Sequence, residues 1–559
     1  MIVIQTVICA VLCSYATALV LRHNMHMFQL NGYKNDEHFR WIRKNLRQQW
    51  LLGFCFVIGI IRMVIPLIWT DVPFYVLLPV DILIYLTLWL VILVYRAMHR
   101  IYSKKKLVYT ARVRRMILTI CILITLALLT WILGFIYFGK GIRPVNGFLL
   151  ILLSAQIILN IVANVINSPM EKAISRHYIN DAKRMLKNMP DLKIIGVTGS
   201  YGKTSVKFYL QTLLQDSFDV LVTPGNFNTP LGVTRTVREH LKPTHQIFIC
   251  EMGARRVGEI KELCDLVHPD YGIITAVGPQ HLDTFFSIEN IAKTKFELAD
   301  AVPSGNAVFL NGDNEIIREK GKEYPNAVFY SSVSNGTVDV KAESTESKAE
   351  STGEPMLQSG GYRAKDISVS QMGTDFTVVS PDGVEQKFQT KLIGAHNVIN
   401  VLGAIAAANM LGISLKDLVV PVRKIQPVEH RMQLREHGTF TIIDDAYNSN
   451  PVGSKAAVET LAMFDGVRIL ITPGMVELGD KEEEYNRKFG TYAASCCDYI
   501  LTVGKRRAEV IMEGALSEGF PENKCKRFDK LEDAMNFAHN IKDPGHKYIL
   551  LENDLPDNY

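Results

Sequence analysis

Cysteine is sparse and unpatterned. The 559-residue chain has nine, and none stand at zinc-ligand spacing. Cys9, Cys13, Cys55 and Cys121 fall in apolar stretches, and the others are scattered apart from the adjacent pair Cys496–Cys497. This argues against a disulfide framework and against a structural metal. An excess of charge of one sign is also lacking. Sixty-one Lys and Arg stand against 56 Asp and Glu, a net charge of +5. The whole-chain balance therefore points to no particular partner, and no nucleic-acid partner is expected. The stretch Lys341–Pro355 has almost no large apolar residue. It lies within 331–361, which is rich in Ser, Glu, Lys, Thr and Gly. That composition cannot build a core and predicts a flexible surface insertion.

Acidic residues are few in the first 168 positions, which are strongly apolar and interrupted by basic clusters. Five apolar stretches, near 2–21, 50–70, 74–95, 116–138 and 147–167, are each long enough to cross a bilayer, which takes about 20 residues of helix. The first has no basic residue before it and no small-residue cleavage site after it, which predicts a retained helix. Arg22, Lys34, Arg40, Arg43, Lys44 and Arg47 follow the first stretch. Arg96, Arg100, Lys104, Lys105, Lys106, Arg112, Arg114 and Arg115 follow the third. Thr70–Pro73 has no Lys or Arg, and the loop before the fifth stretch has only Lys140 and Arg143. Basic loops stay cytoplasmic, so the N-terminus is expected outside and the large C-terminal part inside, as an odd helix count also requires. Arg62 and Asp81 fall within or near these stretches. Such groups are functional candidates in lipid, but an interfacial position or mutual pairing explains them equally well.

Beyond residue 168 the composition is that of an ordinary soluble protein. Strand-like runs at Lys193–Val197, Val220–Thr223, Gln246–Cys250 and Tyr271–Ala276 alternate with helical patterns such as Thr204–Gln215 and Ile291–Ala301. That alternation predicts a parallel sheet covered on both faces, with ligands at the carboxyl ends of its strands. A second α/β unit begins near His430, with strand-like runs at Phe440–Ile443, Val467–Thr472, Tyr499–Val503 and Tyr548–Leu551. The expected domains are a membrane region at 1–168, a nucleotide-binding domain at 169–428 and a C-terminal domain at 429–559.

The strongest local signal is Thr198-Gly-Ser-Tyr-Gly-Lys-Thr-Ser205, which follows a strand and opens a helix. The N–H groups of such a loop can cradle phosphates, aided by the helix N-terminus. Thr198, Gly199, Ser200, Gly202 and Ser205 would form the cradle. Lys203 would reach the terminal phosphates and Thr204 would offer a hydroxyl to Mg²⁺. The glycine spacing is that of a variant loop: five residues separate Gly196 from Gly202, and only two separate Gly199 from it. Glu251, after the apolar run Ile247–Cys250, lies where a carboxylate could hold Mg²⁺ beside bound phosphates. His281 lies at the same expected ligand edge.

Together these pieces resemble the Mur ligase family. Gly225-Asn-Phe-Asn-Thr-Pro-Leu-Gly232, Glu251-Met-Gly-Ala-Arg-Arg-Val-Gly-Glu-Ile260, Asp444-Asp-Ala-Tyr-Asn-Ser-Asn-Pro451 and Gly474-Met-Val-Glu-Leu-Gly479 look like the member that adds D-alanyl-D-alanine. Gly394-Ala-His-Asn-Val-Ile-Asn400 is similar to the family's nucleotide-contacting motif. The resemblance covers roughly 190–540. It implies a P-loop-type central domain, a Rossmann-like C-terminal domain, and an ATP- and Mg²⁺-dependent ligase that joins a carboxylate to an amine, with ADP formed. By the same resemblance, Lys203 and Thr204 bind ATP phosphates and metal, and Glu251 and His281 bind Mg²⁺. Lys295 matches a lysine carried as a carbamate near a second Mg²⁺, with Lys293 as a nearby competitor. Asn397 and Asn400 match nucleotide-site residues. Arg431 and Asp445 match residues that complete the ATP site on domain closure, and Tyr447 and Asn448 belong to the same motif.

Two departures bear on substrate. The soluble members begin with a domain that holds a UDP-linked sugar peptide, whereas here the apolar helices lead almost directly to the phosphate loop. A related ligase carries a Lys-Gly-Ser type segment after its last strand, where this chain reads Leu551-Glu-Asn-Asp-Leu-Pro-Asp-Asn-Tyr559. The expected partners are a peptide-bearing cell-wall precursor, lipid-linked or brought to the inner membrane face, and an amino acid or dipeptide amine. A membrane-bound polyglutamate-type ligase is an alternative. So, from another class, is an ATP-binding membrane scaffold or transport-linked ATPase.

Overall fold

The computed structural model describes residues 2–45, 50–68, 74–98, 106–137, 145–332, 361–447 and 449–554. Residues 1, 46–49, 69–73, 99–105, 138–144, 333–360 (most of the predicted insertion), Asn448, the Asp81 side chain and residues 555–559 lie outside the described residues. Contacts divide the chain between Arg176 and His177 into a helical unit and an α/β unit.

The helical unit comprises α1 (Ile2–Leu30), α2 (Asn35–Lys44), α3 (Trp50–Ile68), α4 (Phe74–Met98), α5 (Ala111–Tyr137), α6 (Val145–Ser154) and the first part of α7 (Gln156–Lys187). The described residues of each predicted apolar stretch are helical, except at Ala155, where the fifth breaks between α6 and α7. The first helix runs on to Leu30, through Arg22, which the sequence reading placed in a loop. Among the described residues one helix, Ala111–Gly134, is long and apolar enough to cross a membrane. The pair Gly147–Ser154 and Ile158–Lys187, bent by 65°, passes as a second only if it counts as one span. Trp50–Val64 and Ile82–Val91 are shorter apolar helices. On α5, Leu118, Ile122, Leu126, Leu129 and Leu133 are all exposed and share one helical face by their spacing. α3 and α6 cross at paired glycines, where a Cβ on Gly59 would lie 2.9 Å from the Gly147 carbonyl oxygen. Small residues let helix backbones approach in this way. Arg62 is buried on α3.

The α/β unit contains two sheets. The first takes β1 (Lys193–Thr198), β2 (Val220–Val222), β3 (Ile247–Glu251), β4 (Tyr271–Ile274), β5 (Val308–Asn311), β6 (Ala327–Ser332), β7 (Tyr362–Ser370), β8 (Gly373–Val379) and β9 (Glu385–Thr390). Their spatial order is β2-β3-β1-β4-β5-β6-β7-β8-β9. Pairing is parallel through β7, and β8 and β9 extend the sheet antiparallel. Alternation along the strands sorts side chains to two cores. Ile195 and Val197 face one with α8 (Lys203–Leu214), α14 (Ala395–Met410) and α15 (Leu415–Lys424). Ile194 faces the other, with α9 (Pro230–His240), α10 (Glu259–Val267), α12 (Ile288–Ala301) and α13 (Glu315–Gly321). A four-residue helix α11 (Leu282–Phe285) precedes α12. The chain leaves β1 toward β2 and β3 on one side, then crosses to β4 on the other. The topological switch, where open α/β sheets bind ligands, therefore falls beside β1.

The second sheet has the order β10-β11-β15-β12-β13-β14, from β10 (Gln433–His437), β11 (Phe440–Asp445), β12 (Val467–Thr472), β13 (Tyr499–Val503), β14 (Cys525–Phe528) and β15 (Lys547–Glu552). Only β10 is antiparallel. α16 (Pro451–Leu461), α17 (Glu482–Cys496) and α18 (Arg506–Ser517) pack on one face and α19 (Leu531–His539) on the other. The adjacent Cys496 and Cys497 are buried free thiols.

Candidate active site

β1 ends at Thr198 and α8 begins at Lys203, so the glycine-rich turn sits at the switch point. Gly202 has φ +83°, and a Cβ there would lie 2.6 Å from Asn400 Oδ1. The loop thus needs glycine at this position, and the same contact places Asn400 against it. A Cβ on Gly199 would lie 2.1 Å from Thr275 Oγ1 at the end of β4. Ser200 anchors the turn: its N–H donates to the Ala276 carbonyl at 2.7 Å and its hydroxyl to the Gly278 carbonyl at 3.0 Å. The Thr198 hydroxyl donates to the Met252 carbonyl at 2.9 Å. Ser205 is buried in the first turn of α8.

The Lys203 ammonium folds back over the loop and donates to the carbonyls of Gly199 at 2.6 Å and Ser200 at 3.1 Å. Burial of its head lowers its pKa to about 8. Glu251 opposes this shift and Arg431 adds to it. Thr204 Oγ1 donates to Glu251 Oε1 at 3.2 Å, and Asn228 Nδ2 donates to the same oxygen at 3.0 Å. The second oxygen pairs with the Lys207 ammonium at 2.9 Å, both side chains being almost fully buried. Lys207 also donates to the carbonyls of Thr223 and Gly225 at 2.9 and 2.7 Å. Burial pushes the Glu251 carboxyl up, but Lys207 and Lys203 outweigh it and hold the group below the usual carboxylate range.

His281 adopts φ +53° and caps α11. Its Nδ1 is hydrogen-bonded to Glu477 Oε2, and Arg255 reaches the other Glu477 oxygen at 3.3 Å. Burial lowers the imidazole pKa; Glu477 opposes, while Arg255 and Lys203 add to the shift. Lys295 is buried on α12, whereas Lys293 is exposed. Burial, with Lys203 nearby, holds the Lys295 amine well below its ordinary value. Asn397 makes internal bonds: its amide donates to the Ile393 carbonyl at 2.9 Å and its oxygen accepts from the Tyr209 hydroxyl at 3.2 Å.

The second sheet contributes Arg431, stacked 4.7 Å from the Tyr447 ring centroid, and Asp445. The Asp445 carboxylate accepts from the Met432 N–H at 3.2 Å. Burial raises its pKa to about 7, Arg431 opposing and Glu552 adding. Lys203 therefore lies within electrostatic range of Glu251, His281, Lys295 and Arg431. Among the described residues, no three His, Cys, Asp or Glu side chains are grouped to hold a metal. A Mg²⁺ shared with substrate phosphates needs only one or two protein oxygens, and the neighbouring hydroxyl and carboxylate of Thr204 and Glu251 have that chemistry.

Sequence reasoning missed Lys207, a lysine on the apolar side of α8 between Val206 and Tyr209. It quoted the Gly474–Gly479 segment without giving Glu477 a role. It also missed how Glu552 is used. That carboxylate, at the end of β15, accepts from the hydroxyls of Ser454 at 2.7 Å and Thr472 at 2.6 Å, and from Ser449. The next residue, Asn553, has φ +66° and donates to the Gly474 carbonyl at 2.6 Å.

A parallel sheet with a glycine-rich loop at its switch point, and an arginine from the segment before the second sheet within electrostatic range of the loop lysine, has the architecture of a nucleotide-binding α/β protein. The Mur ligase middle domain matches residues 197–408, and the Mur ligase glutamate ligase domain matches 430–551. The UDP-N-acetylmuramoyl-tripeptide–D-alanyl-D-alanine ligase of Bacillus subtilis is 30% identical over 347 residues, covering 61% of this chain and 69% of that protein. Its Escherichia coli counterpart is 30% identical over 334 residues, covering 59% and 68%. The crystal structure of MurF from Acinetobacter baumannii superposes with a TM-score of 0.59 at 25% identity, over 68% of this chain and 77% of that one. The Thermotoga maritima MurF ligase in complex with ADP shares the fold, with a TM-score of 0.57 at 23% identity over 68% and 80%. This chain belongs to the Mur ligase family. Its members are ATP- and Mg²⁺-dependent, and the protein is an ATP-dependent acid–amino-acid ligase.

Proposed function

We propose that the protein forms an amide bond in peptidoglycan precursor synthesis, joining a peptide-borne carboxylate to the amine of an amino acid or dipeptide at the inner face of a membrane. The observation that carries this reading is the set at the switch point: Lys203 over the phosphate loop, Thr204 beside Glu251, and Arg431 within electrostatic range of Lys203, with Asp445 in turn within range of Arg431. The motifs shared with the D-alanyl-D-alanine-adding relatives favour a MurF-like reaction. The Glu-Asn-Asp segment at the end of β15 favours an acceptor amine other than D-alanyl-D-alanine.

Carboxylates and amines do not condense in water without activation. In the proposed sequence the substrate carboxylate attacks the γ-phosphorus of ATP and ADP leaves. The amine then attacks the acyl carbon, and phosphate leaves with the C–O electron pair. Lys203 and Arg431 stabilise charge spread over the transferred phosphoryl oxygens. Thr204 and Glu251, with His281, would hold Mg²⁺, which neutralises phosphate charge. Thr198, Gly199, Ser200, Gly202 and Ser205 would form the phosphate cradle, with Asn400 against it and Asn397 on the same helix. Lys295, rather than the exposed Lys293, would react with CO₂ to form a carbamate. That reaction needs an unprotonated amine, which its depressed pKa favours. Domain 429–559 closes on domain 169–428 and keeps water from the acyl phosphate.

The helical unit, 1–168, is proposed to cross the membrane several times, with the N-terminus outside and the α/β unit in the cytoplasm. The exposed apolar face of α5 and the basic loops support this reading. The carboxylate substrate would then be lipid-linked or recruited to the membrane. Detergent-purified protein supplied with ATP, Mg²⁺ and a lipid-linked muropeptide should form a new amide. Full activity of the helix-deleted protein on a soluble UDP-linked peptide would refute the membrane-substrate reading. A polyglutamate-type product would identify the alternative ligase, and phosphate release without any amide would identify an ATPase.

A further inference from the structure

Glu477 lies in the loop after β12, and His281 lies at the end of the β4 segment in the other sheet. Both are non-glycine residues in the left-handed region, with φ +63° and +53°, a conformation disfavoured for residues bearing a Cβ. Their side chains meet in a hydrogen bond between His281 Nδ1 and Glu477 Oε2. Strained residues of this kind persist where the surroundings over-determine them, and they cluster at functional sites.

The surroundings do hold the loop. The Gly474 N–H donates to Thr472 Oγ1 at 3.0 Å, and the Gly474 carbonyl accepts from Asn553. The Met475 N–H donates to Asn486 Oδ1 at 2.8 Å, and the Asn486 amide returns a bond to the Met475 carbonyl at 3.1 Å. At the far end, a Cβ on Gly479 would lie 3.6 Å from the Asp283 nitrogen, so the loop rests on the turn that His281 caps. A surface ion pair between Arg255 and Glu477 would explain one carboxylate oxygen. It does not explain why the other is spent on a partly buried imidazole nitrogen.

We propose that Glu477 is a positioning residue that sets the tautomer and orientation of His281 for a divalent cation. An ionised carboxylate can only accept, so Nδ1 carries the proton and Nε2 presents its lone pair. Carboxylates behind metal-bound histidines fix the ring in this way. Because Glu477 comes from the second sheet, cation affinity at His281 depends on docking of the 474–479 loop. The proposal rests on the reading of His281 as a cation ligand.

The test is Mn²⁺ binding to the full-length protein in detergent with a non-hydrolysable ATP analogue, followed by electron paramagnetic resonance. Wild type, His281→Ala, Glu477→Ala, Glu477→Gln and the His281→Ala/Glu477→Ala double variant are compared. Urea midpoints confirm that each is folded. Glu477→Ala should weaken Mn²⁺ binding about 10–100-fold. Glu477→Gln, whose amide oxygen can still accept from Nδ1, should recover part of the loss. The double variant should be no weaker than His281→Ala alone. Unchanged binding in Glu477→Ala, while His281→Ala weakens it, would overturn the proposal and leave His281 as a ligand. So would an equal Glu477 effect in both backgrounds. Unchanged binding in His281→Ala would overturn the ligand reading and the proposal together.

Discussion

Replacing Lys207 with methionine keeps most of the side-chain volume and removes one charge from the interior. The ammonium and Glu251 are 2.9 Å apart, with side-chain exposures of 0% and 2%. Breaking a buried pair by removing one partner costs about 3–5 kcal/mol, because the other charge stays buried without compensation. The carbonyls of Thr223 and Gly225 lose their donor as well. Against a total stability of about 5–15 kcal/mol, this is a large fraction. The urea midpoint of the full-length protein should therefore fall steeply in Lys207→Met. Adding Glu251→Gln should recover much of the loss, since no uncompensated charge remains. pH gives an independent check. The Glu251 carboxyl is held below its usual range in the folded state, so its contribution is present at neutral pH. It is lost as pH falls through the ordinary carboxylate range and below. Glu251→Gln should remove that acid-dependent part. A Lys207→Met loss within about 1 kcal/mol, the scale of an exposed ion pair, would refute the reasoning.

Gly202→Ala places a Cβ 2.6 Å from Asn400 Oδ1 at φ +83°. The conformation alone costs about 1–2 kcal/mol, so nucleotide affinity measured by fluorescence titration should fall at least roughly tenfold; unchanged affinity would count against the loop assignment. Asp445 has its pKa raised to about 7, so the folded state binds more protons than the unfolded state between the ordinary carboxylate range and that value. Its contribution to stability should fall as pH rises through this window, and Asp445→Asn should flatten that slope in urea titrations. Leu126→Asp puts a charge on the exposed apolar face of α5. If that face meets lipid, the cost is about 2.5–3.5 kcal/mol, and the variant should shift out of the membrane fraction; unaltered fractionation would argue for a face covered by protein.

Most of the α/β unit was legible because its signals are local. A short apolar run, a glycine turn and a helical period suffice to place β1, the phosphate loop and α8, and the strand runs at 467–472 and 499–503 recur as β12 and β13 with the same bounds. The β7–β9 extension was not legible. Its strands flank the low-complexity stretch, and β7 alternates buried and exposed positions instead of showing the continuous apolar run of the buried strands. The candidate site residues that the sequence offers are those a motif carries. Lys207 and Glu477 were missed because their importance lies in partners 44 and 196 positions away, and no local pattern encodes that. The competition between Lys293 and Lys295 was undecided in sequence because the two differ by one helical step of about 100° twice over; burial separates them. The apolar segments are legible as helices, but among the described residues length and hydropathy establish at most two candidate spans.

The central claim is amide formation driven by ATP at the switch point. Detergent-purified protein is incubated with ATP, Mg²⁺, lipid-linked and soluble precursor fractions and candidate amines, and ADP and new amides are followed by mass spectrometry beside a Lys203→Ala control. The account predicts an amide product formed with ADP and reduced about 10²–10³-fold in the control. ADP and phosphate released with no new amide from any fraction would contradict it.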